Sequence, residues 1–373
     1  MMMIEKKTQE NLLNSYQKPI NIPNPQSSLR TAFDSNNPQV QNQISVTKNK
    51  EELTDIKTVI KNYYIPIWEN FEFKDQIGSG SESIVNKVIH KKSKKEFALK
   101  YIKNKDQKRN VNELKIASKL KNENIIRFLS YSCSKDDKSE VILMESAKFG
   151  NLRNFQLKAL KRSVLSESLL CYLSNEILKG LSFCHRNKVA HMDLKPQNVV
   201  VDDYLHAKLI DFSISINYND KDLNDKIKLP FKGTKFYMPL EIINSKTIEY
   251  KDINKVDAYA LGVILYNLAF GNYPYDIKYE DDYDTINEKI KKNKLEIKNE
   301  NNYSKHFIDF IEKLLHKDIN ERMSLYEAIN HYWIKGGQIL YDEKEKIFNI
   351  YSFTTQLITD NLKEFNDYLL KQI

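Results

Sequence analysis

The sequence predicts an α+β chain of two lobes, a small antiparallel β-sheet lobe with one main helix followed by a larger, mainly helical lobe. Three observations predict it. From Phe71 to about Lys103, short apolar runs partly alternate with polar residues and break at glycine or lysine-rich turns, the period-two texture of a pleated sheet. Beyond Leu152 the apolar spacing becomes helical, most clearly over residues 165–185 and 256–270. Ahead of both, residues 1 to about 60 are rich in Asn, Gln, Ser, Lys and Pro, with apolar residues too sparse for a core. A disordered N-terminal extension over 1–62 is therefore expected.

Taken in order, structure is expected to start near Tyr63 to Trp68. Ser83-Ile84-Val85-Asn86-Lys87-Val88-Ile89 and Glu96-Phe97-Ala98-Leu99-Lys100-Tyr101-Ile102 read as strands. Residues 112–121 place Leu114, Ala117 and Leu120 at helical spacing, and 124–132 and 140–144 return to strands. The segment 213–232 is hydrophilic and lies between strand-like and helical neighbours, while 276–306 reads as a surface helix with loops. Residues 258–270 form the most apolar run. It is too short to span a bilayer and carries Asn267, so it reads as a helix buried on all sides. From Tyr351 the spacing of Ile358, Leu362, Phe365 and Leu369 by four, three and four predicts an amphipathic helix within a C-terminal extension over 335–373. Two readings of it stand open, docking on the chain's own large lobe and a partner contact. No calmodulin-target pattern occurs there, since Asp360, Glu364 and Asp367 interrupt it.

Composition excludes several classes. At 373 residues the chain exceeds the roughly 100–200 residues of one ordinary domain, and a two-lobed unit with tails fills it. Against 58 Lys and Arg stand 50 Asp and Glu, giving +8, but the signs are interspersed, as in Asp220-Lys221-Asp222 and Glu343-Lys344-Glu345-Lys346. That predicts a solvated mixed surface rather than a nucleic-acid or membrane-binding patch. Cys133, Cys171 and Cys184 are scattered without metal-ligand spacing, which argues against a disulfide framework and a zinc site. A reducing, intracellular setting is expected, the cytoplasm first and the nucleus open. Met1-Met2-Met3-Ile4-Glu5 lacks the apolar stretch of a signal peptide, and Met2 stands where myristoylation needs glycine.

The segment His191-Met192-Asp193-Leu194-Lys195-Pro196-Gln197-Asn198, followed by Asp211-Phe212-Ser213, is the most informative. Phosphoryl transfer from ATP needs a carboxylate to orient the incoming hydroxyl, an amide and a carboxylate for magnesium, and a lysine near the moving group. Those residues are present in that order. Here the chain resembles the eukaryotic protein kinase superfamily, serine/threonine type. The resemblance runs from Phe71 to Ile334 and implies a bilobal protein kinase fold, with small lobe and hinge over 71–147 and large lobe over 148–334.

From the resemblance, Asp193 is expected as catalytic base, Lys195 as the lysine offsetting charge on the moving phosphoryl, and Asn198 and Asp211 as the magnesium ligands. Lys100 matches the strand lysine of the α- and β-phosphates, and Glu113, eleven residues before Asn124-Ile125-Ile126, its ion-pair partner. Ile77-Gly78-Ser79-Gly80-Ser81-Glu82-Ser83 resembles the glycine-rich hairpin over ATP, although a Gly-x-Gly by itself equally fits any tight hairpin. Ile77, Gly78, Ser79, Gly80 and Val85 are accordingly expected at the nucleotide, as are Ala98 and Val200. Met144-Glu145-Ser146-Ala147 resembles the adenine hinge, with contacts from Met144, Glu145 and Ala147 and Met144 as gatekeeper. A plain strand end is the alternative. Lys195 two residues after Asp193, and Thr234 after Gly233, resemble serine/threonine rather than tyrosine kinases. Glu241 and Arg322 match a buried ion pair, Asp257 the helix aspartate that holds the catalytic loop, and His331-Tyr332-Trp333-Ile334 a closing His-x-Trp.

The chain departs from the family at several points. Met192 replaces the arginine that commonly reads an activation-loop phosphate, which implies activity independent of such a phosphate. Ser213 replaces the glycine of Asp-Phe-Gly, implying a less mobile turn with Asp211 intact. Ser83 stands at the third glycine position, Ala117 is smaller than expected, and Pro239-Leu240-Glu241 replaces Ala-Pro-Glu. Asn151, Gln197 and Asn267 are neutral where arginine-directed kinases carry acids, so no strong basic motif is expected. The implied activity is transfer of the γ-phosphate of ATP, with magnesium, to Ser or Thr of protein substrates. A pseudokinase scaffold is the rival, and a nucleic-acid-binding protein, for which no reader motif is present, the third reading. The joint presence of Lys100, Glu113, Asp193, Asn198 and Asp211 separates the first from the second.

Overall fold

Five strands, β1 (Phe71–Ser79), β2 (Ser83–His90), β3 (Glu96–Ile102), β4 (Phe128–Cys133) and β5 (Glu140–Glu145), form one antiparallel sheet in the order β1-β2-β3-β5-β4. The computed structural model describes residues 70–79, 83–102, 107–133, 140–159, 164–219, 221–299 and 302–336. The N-terminal extension, the start near Tyr63 to Trp68, Gly80 and the C-terminal amphipathic helix lie outside the described residues. Those described belong to one compact unit.

Alternation along the strands gives the sheet two faces. Leu99, Val88, Val141 and Leu143 pack with Phe71 on one. Ile102 and Ile142 pack with Phe128, Tyr131 and Leu114 on the other. Leu114 belongs to α1 (Gln107–Lys119), so the second face is the one the helix covers. Ala98 and Lys100 share it by period two, which turns the lysine toward α1. Ile116 of α1 joins the core of the large lobe instead, so one helix serves both lobes.

That core is built on α2 (Glu167–Arg186) and α4 (Asn254–Phe270). In α4 Asp257 is buried as well as Val263, Ile264, Leu265 and Leu268, and each fully buried Leu or Ile stabilises by about 1.5–3 kcal/mol over exposure. The helix is thus enclosed, as its apolar run predicts, and no helix among the described residues is long and apolar enough to cross a membrane. Gly262 permits the close approach of α6 (Lys305–Leu314): a Cβ there would stand 2.9 Å from the Leu314 Cβ. Around the core run β6 (Val189–Ala190), β7 (Val199–Val201), β8 (Ala207–Leu209), β9 (Ile216–Asn217), β10 (Lys226–Lys228), α3 (Leu240–Ile243), β11 (Thr247–Glu249), α5 (Tyr283–Lys292) and α7 (Leu325–Asn330). Ser304 caps α6, and Ser324 with Glu327 forms a capping box on α7.

Two expectations need correction. The strand expected over 124–132 starts only at Phe128, because the Asn124 carbonyl and Ile126 amide bond to the backbone of Leu209 in the large lobe (2.9 and 3.0 Å) rather than to β5. The helix expected from 112 begins at Gln107, since its first turn carries none of the apolar spacing that marks the rest.

Candidate active site

The loop from His191 to Asn198 connects β6 to β7 and is suspended from α4. Both carboxylate oxygens of Asp257 accept its amides, from His191 (2.8 Å) and Met192 (2.9 Å). Burial alone would push the Asp257 carboxyl up, but bonds from His185 and the His191 amide hold it below its ordinary value. Met192, at φ 68, takes the left-handed region. Its side chain is buried with Tyr218, Leu229, Met238 and Val256, an apolar setting where a thioether fits and a guanidinium would lack partners.

That turn aims Asp193. One carboxylate oxygen accepts from the Thr234 hydroxyl (2.7 Å), the other from Lys195 Nζ (2.7 Å) and Asn198 Nδ2 (3.1 Å). Lys195 also donates to Thr234 Oγ1 (2.8 Å). Asn198 Nδ2 further donates to the Asp193 carbonyl (2.8 Å), which spends the amide nitrogen and leaves Oδ1, the hard oxygen donor, without a partner among the described residues.

Lys100 brings the small lobe to the same place. Its Nζ lies 2.6 Å from Glu113 and 3.0 Å from Asp211, with side-chain exposures of only 10%, 7% and 31%. Burial would lower Lys100, but the two carboxylates raise it above the ordinary lysine value. Burial would likewise raise Asp211, yet Lys100, the Ser213 side chain and His191 bring it down to about 2. Ser213 therefore bonds the carboxylate it follows, and its φ is not positive, so glycine's freedom is not needed there. Phe212 is buried against the His191 ring, 5.1 Å between centroids. Magnesium usually takes one or two protein oxygens besides phosphates and waters. Asp211 and Asn198 Oδ1 fit that set, in keeping with no cluster of three or more His, Cys, Asp or Glu among the described residues.

Of the other expected nucleotide residues, Val85 lies across from Lys100 and Ala98 across from Met144, while Gly78 and Ser79 pair with Val85 and Ile84. Ile77 is half-exposed, and Val200 bridges to Asn151. The Glu145 carboxylate turns to Lys208 (3.0 Å) and the Arg127 amide (2.9 Å), the Glu145 amide donates to the Arg127 carbonyl (3.1 Å), and the Ala147 carbonyl accepts from the Gly150 amide (3.0 Å). Asn151 caps the turn at Asn154 (2.9 Å) and Asn267 bonds the Asn272 carbonyl (3.2 Å). Gln197 alone of the three is exposed. Glu241 and Arg322 meet as a buried bidentate pair, with Arg322 over the Tyr259 ring.

Two site residues escaped the sequence reading. His185 Nε2 lies 2.7 Å from Asp257 and its Nδ1 3.0 Å from the Tyr218 hydroxyl. Lys208, three residues before Asp211, is buried beside Glu145. A histidine closing a long helix, and a lysine inside an apolar strand, were the available signals.

Comparison with known proteins agrees. Residues 71–334 match the family model described as a protein kinase domain. The chain is similar to an Aurora kinase of Candida albicans, 32% identical over 295 residues covering 71% of this chain and 52% of that protein. It is similar to the SNF1-related protein kinase catalytic subunit alpha KIN12 of Arabidopsis thaliana, 28% identical over 75% of this chain and 54% of that one. To the NUAK family SNF1-like kinase 1 of Homo sapiens it is 28% identical, over 72% and 39%. The chain thus spans about half the length of the curated relatives it matches.

Proposed function

Because the chain belongs to the protein kinase family by its match over residues 71–334, we propose that it transfers the γ-phosphate of ATP to serine or threonine hydroxyls of proteins. One observation carries the reading: Lys100 of the small lobe sits between Glu113 and Asp211, so that both lobes meet at one buried charge. In this reading Asp193 accepts the proton of the incoming hydroxyl, and Lys195, 2.7 Å from it, follows the moving charge. Magnesium on Asp211 and Asn198 would supply charge compensation at the phosphates. The bond from Thr234 to Asp193, at the carboxylate that the acceptor hydroxyl would approach, supports Ser/Thr over Tyr.

Radiolabelled phosphate transfer to a protein mixture, with phosphoamino-acid analysis, tests it. Wild type should label Ser and Thr, and Asp193→Asn should fall about 10²–10⁴-fold with an unchanged circular dichroism spectrum. Nucleotide binding without transfer by wild type would favour the pseudokinase scaffold, to which Met192 and Ser213 lend their weight.

A further inference from the structure

Resting on that kinase reading, we propose that the acceptor hydroxyl is selected by anionic side chains near it, read by lysines on the segment that leads into Thr234. From Lys226 to Phe236 the chain carries Lys226, Lys228, Lys232 and Lys235 and no acid. Lys235 is occupied, donating to the carbonyls of Tyr279 (3.1 Å) and Asp281 (2.6 Å). Lys228 and Lys232 are exposed and form no ion pair among the described residues. Glu249, across from Lys226, is taken by Lys251 at 2.5 Å.

Register turns Lys226 and Lys228 outward, and Lys232 stands beside the acceptor site in the chain. In the β10–β11 ribbon Ile227 faces Ile248, which is buried, so period two puts Lys226 and Lys228 on the solvent side. Lys232 precedes Gly233, where a Cβ would lie 3.7 Å from Asp193 Oδ1 and 3.1 Å from the Met192 carbonyl. Lys232 therefore starts one Cα step, about 3.8 Å, from a point touching the reacting carboxylate. An extended peptide advances about 3.3 Å per residue, which places an acid within about three residues of its hydroxyl in reach.

Part of the charge of the other sign on the same rim is engaged. Asp281 pairs with Lys289 (2.7 Å), Asp276 with Lys278 (2.5 Å), and Asp282 caps α5. Gln197, exposed between Lys195 and Asn198, is neutral. Glu280 and Asp284 stay exposed on that rim with no ion pair among the described residues, so the preference for a carboxylate or a phosphate rests on Lys228 and Lys232, which stand on the segment running into Thr234 and carry no counter-ion there.

The test uses the full chain, ATP and magnesium, and peptides with one serine in a neutral background. A single Asp, phosphoserine, Ala or Arg is placed at each of the three positions on either side. Asp or phosphoserine should raise kcat/KM over Ala at one or more positions, and Arg should not; the Asp and phosphoserine arms tell a carboxylate reader from a phosphate reader. Each of Lys228→Ala and Lys232→Ala should cut the acidic advantage about two- to fivefold, and Lys232→Glu should turn the preference toward Arg. Equal use of Asp and Ala peptides by wild type, or an acidic preference surviving Lys228→Glu with Lys232→Glu, overturns the proposal. Anisotropy of a labelled Asp peptide without ATP separates the two readings. Lysine-dependent binding with no transfer to any peptide keeps the rim and removes the kinase reading, and neither binding nor transfer removes both. Binding of duplex oligonucleotide with no acidic preference would assign the lysines to nucleic acid and overturn the proposal as well.

Discussion

Lys100 is an ammonium taken almost wholly out of water, 8% exposed, and it is tolerable only because two carboxylates surround it. The benefit is mutual, since its charge is what offsets burial at Asp211 and brings that carboxyl down to about 2. A carboxyl whose folded value lies below its unfolded one, near 3.9, contributes stability that is fully present above about pH 4. The contribution is lost as pH falls through about 2. The difference in unfolding midpoint between wild type and Asp211→Asn should therefore be level from pH 8 to 5 and change only below about pH 4. A difference that drifts across the neutral range would separate Asp211 from Lys100. Ser213 belongs to the same group: its side chain helps hold the ionised carboxylate, so the substitution for glycine adds a bond where it removes backbone freedom.

The described residues between Asp211 and Thr234 are held by contacts with the rest of the large lobe. Tyr218 is buried with its hydroxyl on the His185 carbonyl (3.3 Å), Ser215 donates to the His191 carbonyl (3.0 Å), and β10 pairs with β11. Between Ser215 and Thr234 the sequence holds no other serine or threonine, and Met192 is buried in apolar company. Activity should survive phosphatase treatment, measured as transfer before and after; complete loss, restored by rephosphorylation within 213–234, would refute this. The pattern also shows what one sequence can reveal. The strands at 83–89 and 96–102, α2 and α4 were legible because their apolar periods are local. The three-residue strand β11 was not, because nothing marks it but its partner some twenty residues upstream. Loop 124–127 was misread because its hydrogen bonds go to Leu209, more than eighty positions away. At the site the ordered motif supplied Lys100, Glu113, Asp193, Asn198 and Asp211. His185 and Lys208 depend on Asp257 and Glu145, which only folding brings near.

Across the whole molecule, distant segments are pinned by buried polar pairs. Glu241, at the start of α3, meets Arg322, which also holds the His316 carbonyl at 2.8 Å. Glu167 receives the Ser304 amide (2.7 Å) and Trp333 Nε1 (2.9 Å), tying the start of α2 to the end of the domain. Removing one partner of a buried pair strands the other charge. Arg322→Ala should therefore cost about 3–5 kcal/mol in urea unfolding followed by circular dichroism, and Glu241→Leu combined with Arg322→Met far less. A cost for Arg322→Ala below about 1 kcal/mol would mean that water reaches Glu241. Asp257 adds an asymmetry of its own. Asp193, the proposed general base, hangs from the most enclosed helix, α4, while the lysine-edged ribbon lies at the periphery, and peripheral parts open first. If both proposals hold, a molecule warmed until its edges fray would lose the ability to tell one hydroxyl from another before it lost the ability to deprotonate one.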